Sequence, residues 1–383
     1  MSQQHDSTTP ILRGTLALGV LGVVLAFLKA SPERFWANWL LWFVLLFTVA
    51  LGALFLVALE HLVNARWSVP IRRIPERIAT LLIPASAIGL VALGALPVLY
   101  PGTRPEALHN PLLAGKAFWL GIPFFSVRAV LSLALVLLGL AVLVGGSFKQ
   151  DTTKDPAFNL RARKFAPAFM AIFAIVITLI AFDWISGLTP EWYSDIFGVY
   201  LFAGAFLSGL AATSLCVLHL RDQDRLAGVR TDHLYNLGGF LFAFTVFWSY
   251  IGFAQYLLMW YANLPEEVVY FTARLKGGWY VLTVLLAVSH FVIPFFALVT
   301  RDAKGDGTRL RRVALLMLAA HVLDMYWLIF PILPGGPHFS WPEISFALLF
   351  LSGALLWVRG AMEKGEDVPV GDPFLKEGLE FRL

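Results

Sequence analysis

Ten stretches of this chain, near 12–30, 35–63, 74–100, 122–146, 165–187, 194–220, 233–262, 276–300, 310–333 and 341–360, are apolar and long enough to cross roughly 30 Å of hydrocarbon. Lipid offers no hydrogen bonds to the backbone, so such runs must satisfy their own N–H and C=O groups, which helices do. The expectation is an all-α polytopic membrane protein with about ten transmembrane helices. At 58% hydrophobic and 14% charged over 383 residues, the chain carries more apolar surface than one soluble core encloses. Its one cysteine, Cys216, lies inside an apolar run. That leaves no disulfide framework, no CxxCH haem attachment and no iron–sulfur ligand set, and no metal site is expected.

Charge gives the orientation. An even number of spans puts both termini on one face. That face receives 22 of the 29 Lys and Arg residues, and the other receives 7. By the positive-inside rule both termini are cytoplasmic. The basic residues sit in short loops and mark topology; they are not a nucleic-acid patch. The first run lacks a small-residue cleavage pattern and is read as retained. The polar stretch from Met362 is expected on the inner surface or against a partner.

Ionisable groups within the membrane cost roughly 2.5–3.5 kcal/mol each on insertion scales, so each needs a partner, water or a function. Three groups stand out. His321 and Asp324 lie three residues apart on the ninth run, hence on one helix face, and His290 lies near the centre of the eighth. This set is compatible with a proton relay or with a hydrogen bond that locks helix packing; a haem b held by the two histidines is the weaker alternative. Toward the outer face come Asp183 and Trp184, Arg128, Gln255 and Tyr256, Glu266 and Glu267, and Lys276. A quinol site needs a proton acceptor, polar groups for the ring oxygens and an aromatic wall. Asp183, Trp184, Gln255, Tyr256 and Lys276 are the candidate quinone pocket, with Asp183 as the base. Near the cytoplasmic face, Glu60, His61, His219 and His233 are a candidate proton inlet, or solvated helix ends.

Specific strings narrow the field. The run Asp183-Trp184-Ile185-Ser186-Gly187-Leu188-Thr189-Pro190-Glu191-Trp192 with Ile196-Phe197-Gly198-Val199-Tyr200 resembles the NrfD-like, polysulfide-reductase membrane-subunit family. The stretch from His233-Leu234-Tyr235-Asn236 through Gln255-Tyr256-Leu257 to Trp260-Tyr261-Ala262-Asn263-Leu264-Pro265-Glu266-Glu267 is similar to the membrane subunits of alternative complex III, a bacterial quinol:cytochrome c oxidoreductase. Chain length is nearer the shorter of its two paralogous membrane subunits. The resemblance implies two four-helix bundles, over 35–187 and 194–333, with 12–30 and 341–360 peripheral. It implies a quinone or menaquinone ligand and no covalently bound cofactor. Haem c and iron–sulfur clusters would belong to partners: a multihaem cytochrome c and an iron–sulfur subunit, beside a paralogous NrfD-like subunit. It also assigns Asp183 to the quinol pocket. Two other functions stay open. A secondary transporter would use broken helices, for which Pro84 and Pro294 are the suggestive positions. A structural scaffold would use its buried polar groups only to pack helices.

Overall fold

A computed structural model describes residues 8–383, apart from the side chain of Glu266. The described chain is helical with no strand, and ten helices are long and apolar enough to cross a membrane. They are α1 (Thr8–Lys29), α2 (Pro32–Val63), α3 (Arg73–Leu99), α4 (Ile122–Thr153), α5 (Ala157–Leu188), α6 (Phe197–Asp222), α7 (Thr231–Ala262), α8 (Gly277–Leu298), α9 (Gly307–Ile332) and α10 (Trp341–Met362). This is an all-α, multi-pass membrane protein. The ends of α4 and α5 run past the apolar limits, through Lys149–Thr153 and Ala157–Lys164. Charged residues end a hydropathy run, but they do not end the i→i−4 ladder.

Helices α2 to α5 pack as one group and α6 to α9 as a second, joined along α2 and α6. These two are the most enclosed helices, and small residues let their backbones touch. A Cβ on Gly52 would lie 1.9 Å from the Ala205 carbonyl oxygen, and one on Gly209 2.5 Å from the Ala53 nitrogen. In lipid, where helices gain little from the hydrophobic effect, such close backbone approach is a main source of association. Peripheral α1 packs on α10, which rests on α2. Away from α10 it presents Leu18, Leu21, Leu25 and Phe27 outward, a surface for lipid.

Two prolines shape the spans. Pro84 cannot donate to Thr80, and α3 breaks into a turn at Thr80 and Leu81. Pro294 cannot donate to His290, and α8 widens into a π-helical turn over Val288–Val292. A second π-turn, Ala181–Ile185, carries Asp183 in α5.

Residues beyond Met362 fold back over the face that carries both described ends. Asp367 receives Arg225 at 2.6 and 2.8 Å and Arg77 at 3.1 Å. Asp372 pairs with Arg72 and accepts from Asn159 Nδ2 at 2.8 Å, and Glu377 pairs with Arg66. The tail thereby ties loops of both helix groups. Burial alone would raise the Asp367 carboxyl, but hydrogen bonds from Arg225 and Arg77 hold it below the usual range.

Candidate functional site

A collection of buried polar groups in the second bundle centres on Asp324. One helical turn separates it from His321 on α9, and the π-turn of α8 brings His290 alongside. All three are at most 1% exposed, and one ligating atom of each lies within 4.8 Å of the others. Tyr200 on α6 donates to Asp324 Oδ1 at 2.6 Å, and the Trp248 indole on α7 donates to Oδ2 at 3.3 Å. The His290 ring packs on Trp248, with centroids 4.0 Å apart. Gly204 makes room for the set: a Cβ there would sit 3.4 Å from the His321 ring and 3.6 Å from Asp324 Oδ2.

Hydrogen-bond direction fixes one tautomer. Thr48 Oγ1 lies 2.8 Å from the Val44 carbonyl and 3.0 Å from that of Leu45, so its one proton points at its own helix. Toward His321 Nε2, 2.9 Å away, the hydroxyl can only accept. His321 therefore carries its proton on Nε2 and presents Nδ1 as a bare lone pair, which has no partner; His290 Nδ1 has none either. The Asp324 carboxylate, the bare Nδ1 of His321 and the unpartnered His290 Nδ1 thus lie close together, and the set is chemically able to take up a proton. By distance the same three residues could share a metal ion. A divalent ion there would keep a net positive charge in an apolar core, and both Asp324 oxygens already accept from Tyr200 and Trp248. The arrangement fits a proton better than a cation.

Beside the cluster, between α7 and α8, lies a cavity of about 420 Å³. Tyr200 and Trp248 form the wall it shares with Asp324; Gln255, Tyr256 and Phe271 line its other end. Phe253, Tyr280 and Val284 on its rim are 60%, 55% and 44% exposed, so its mouth opens on the lipid-facing surface. Gln255 is buried, and its Oε1 has no hydrogen-bond partner. Above it, on the short helix Pro265–Arg274, burial pushes the Tyr270 phenol up to about 12 and lowers the Arg274 guanidinium, which donates to the Trp327, Leu328 and Tyr270 carbonyls.

The five residues of the expected quinone pocket do not meet. Asp183 lies in the other bundle, with both oxygens held by Arg128: Nε to Oδ2 at 2.9 Å and Nη2 to Oδ1 at 2.8 Å. Trp119 stacks on that guanidinium at 3.9 Å. Trp184 is buried against Phe43 and Phe125. The space beside Asp183 is about 10 Å³, at the lower limit for a single water and far too small for a ring. Lys276 is exposed at the start of α8 and does not line the cavity. Only Gln255 and Tyr256 share one.

The expected inlet also divides. Glu60 and His61 are buried; both Glu60 oxygens and His61 Nε2 lack partners. His219 is exposed and pairs with Gln223 at 3.2 Å. His233 accepts from the Arg230 backbone at Nδ1 (3.1 Å) and so donates from Nε2 to the Gly378 carbonyl (3.0 Å). With both nitrogens engaged, it fastens the tail. Glu60 lies twelve residues from Thr48 on α2, about 18 Å along the axis. Buried hydroxyls of Ser208, Thr213 and Ser214 on α6 lie in that interval of the core.

Tyr200, Trp248 and Thr48 complete the cluster, and nothing in their spacing announces it: each is one aromatic or hydroxyl side chain in an apolar run, although Tyr200 falls in the Ile196–Tyr200 string. A weak signal links the bundles: Asp183 and Asp324 each precede a proline, Pro190 and Pro331, by seven residues, each on the fourth helix of its group. Neither the family models nor the curated proteins compared with this chain match it.

Proposed function

We propose that this chain is an integral membrane subunit of a respiratory quinol:cytochrome c oxidoreductase of the alternative complex III type, to which it contributes a proton path through its second bundle. The observation that carries this reading is the His290–His321–Asp324 cluster: three buried groups from two helices, two of them with an unpartnered nitrogen, at mid-span. Structure-locking polar contacts are normally fully satisfied; this cluster leaves two ring nitrogens unpartnered. The resemblance in the Asp183–Tyr200 and His233–Glu267 strings supplies the choice of complex. In this reading the redox centres, haem c and iron–sulfur clusters, sit on partner subunits beside a paralogous membrane subunit. The membrane is the bacterial inner membrane, and the Lys/Arg-rich face with both termini is cytoplasmic. Buried Glu60 is then the group nearest the cytoplasm from which a proton would start toward Thr48 and His321.

Replacing Asp324 with Asn in the assembled complex tests this. In liposomes the ratio of protons moved to electrons transferred should fall, while the complex still assembles. An unchanged ratio removes the path. Reduced assembly with unchanged turnover per assembled complex would instead mark a scaffold.

A further inference from the structure

We infer that the groove at the Lys/Arg-rich face, between α3, α4, α10 and the folded-back tail, holds one anionic phospholipid. Its headgroup phosphate lies at Lys154 and Lys364, and its acyl chains lie against Ile83, Leu356 and Trp357. The inference goes beyond the proposed function and takes nothing from it. Three local features shape the groove. Pro84 breaks α3 at Thr80 and Leu81, and Thr80 lines the groove and accepts the Trp357 indole at 3.0 Å. Helix α4 runs past its apolar limit to Thr153, and Lys154 caps it in the left-handed conformation, φ 55°. The tail turns at Gly365, φ 69°, and brings Lys364 and Glu366 to the rim. The enclosed volume is about 860 Å³, toward the upper end of the range of small-molecule sites.

The lining is cationic where it meets water and apolar where it meets the bilayer. Arg73, Arg77, Lys154 and Lys364 stand against two carboxylates, Asp151 and Glu366. The arginines are engaged within the protein: Arg73 donates to Asp151 at 2.6 Å, and Arg77 to the Lys364 and Glu366 carbonyls at 2.6 Å each. The second Asp151 oxygen accepts from the Gly371 backbone at 3.1 Å. Lys154 and Lys364 are exposed, and among the described residues neither ammonium has an ion pair or hydrogen bond. Two free ammoniums thus face one free carboxylate, that of Glu366. Ile83 lies ten residues into α3, about 15 Å past Arg73, and is 50% exposed. Leu356 and Trp357 lie within the apolar run of α10, so this end of the groove sits at hydrocarbon depth, with an indole where the headgroup region begins. A soluble phosphate would meet the ammoniums and leave the apolar end uncovered. A zwitterionic lipid would bring its own cation to the lysines. An anionic phospholipid matches both ends.

The test is native mass spectrometry of the delipidated full-length chain in detergent, titrated with dioleoylphosphatidylglycerol and, as the tail-matched zwitterion, with dioleoylphosphatidylcholine. One phosphatidylglycerol should be retained at concentrations where phosphatidylcholine is not, and excess glycerol phosphate should not displace it. Lys154→Gln and Lys364→Gln should each weaken retention about fivefold, and Glu366→Gln should strengthen it by a similar factor. Gly360→Phe places a ring in the groove from a position where a Cβ meets nothing within 4 Å, and should abolish retention. Lys149→Gln with Lys376→Gln, exposed on the same face but outside the groove, should leave it unchanged. Equal retention of the two lipids, displacement by glycerol phosphate, or indifference to the Lys154 and Lys364 substitutions would overturn the inference. So would an equal loss in the Lys149 and Lys376 variant, which marks diffuse attraction to a basic face. Retention is read without turnover or proton counting, so an unchanged proton ratio in Asp324→Asn would sink the proton path and leave the lipid site standing.

Discussion

At the scale of single residues, the two buried aspartates show how environment assigns different roles to one side chain. Asp183 is fully consumed by a bidentate guanidinium, so its cost of burial is offset by one cation. Arg128→Leu should therefore leave an unpaired carboxylate and destabilise the chain by about 3–5 kcal/mol, whereas Arg128→Leu with Asp183→Leu should recover most of it. Thermal aggregation in detergent reads both; a double variant no better than the single would show that Asp183 does not depend on this partner. Asp324 has only neutral donors, Tyr200 and Trp248, and two unsatisfied imidazoles close by. The burial of His290, His321 and Asp324 within the spans is legible in the sequence, because an ionisable group in an apolar run is conspicuous and a three-residue spacing fixes a helix face. Their partners are not. Thr48 reaches His321 across 273 positions and Tyr200 reaches Asp324 across 124, distances over which spacing says nothing. The same blindness grouped Asp183 with Gln255: both lie toward the same face by hydropathy, and only packing shows them in different bundles.

At the scale of elements, length and apolarity located every span, since lipid enforces both on each helix separately. Proline positions were legible as breaks, but their consequences were not. In α3 the freed carbonyl yields a turn, while in α8 it yields a widened loop of helix that swings His290 toward α9. Contacts between elements left still less trace, because a glycine at a crossing reads like any other glycine. Gly209→Leu should prevent α2 and α6 from meeting, a cost above the ~1–3 kcal/mol of ordinary overpacking, since the obstruction is backbone and cannot repack. Gly145→Leu in α4, where a Cβ meets nothing within 4 Å, is the matched control. Folded yield measured by size-exclusion fluorescence should collapse for the first and hold for the second; equal yields would mean that the crossing has slack.

At the scale of the whole molecule, the tail after Met362 closes the face that carries the ends, through Asp367, Asp372 and Glu377. Because the folded Asp367 carboxyl titrates below its unfolded value, its contribution is complete above about pH 4 and is lost as pH falls further, through the folded value. Amide exchange across 363–383 should accelerate in that acid window and not between pH 6 and 8; acceleration near neutrality would assign the latch to another group. The two helix groups, meanwhile, meet backbone to backbone at Gly52 and Gly209, with no layer of side chains between them to act as a bearing. Halves seamed in this manner have little freedom to rock against one another, and a carrier that exposes its cargo to each side in turn needs such rocking. Under the proposed proton path, passage would then be a matter of short hops along a rigid frame, with its rate set by bond rearrangement instead of by hinge motion.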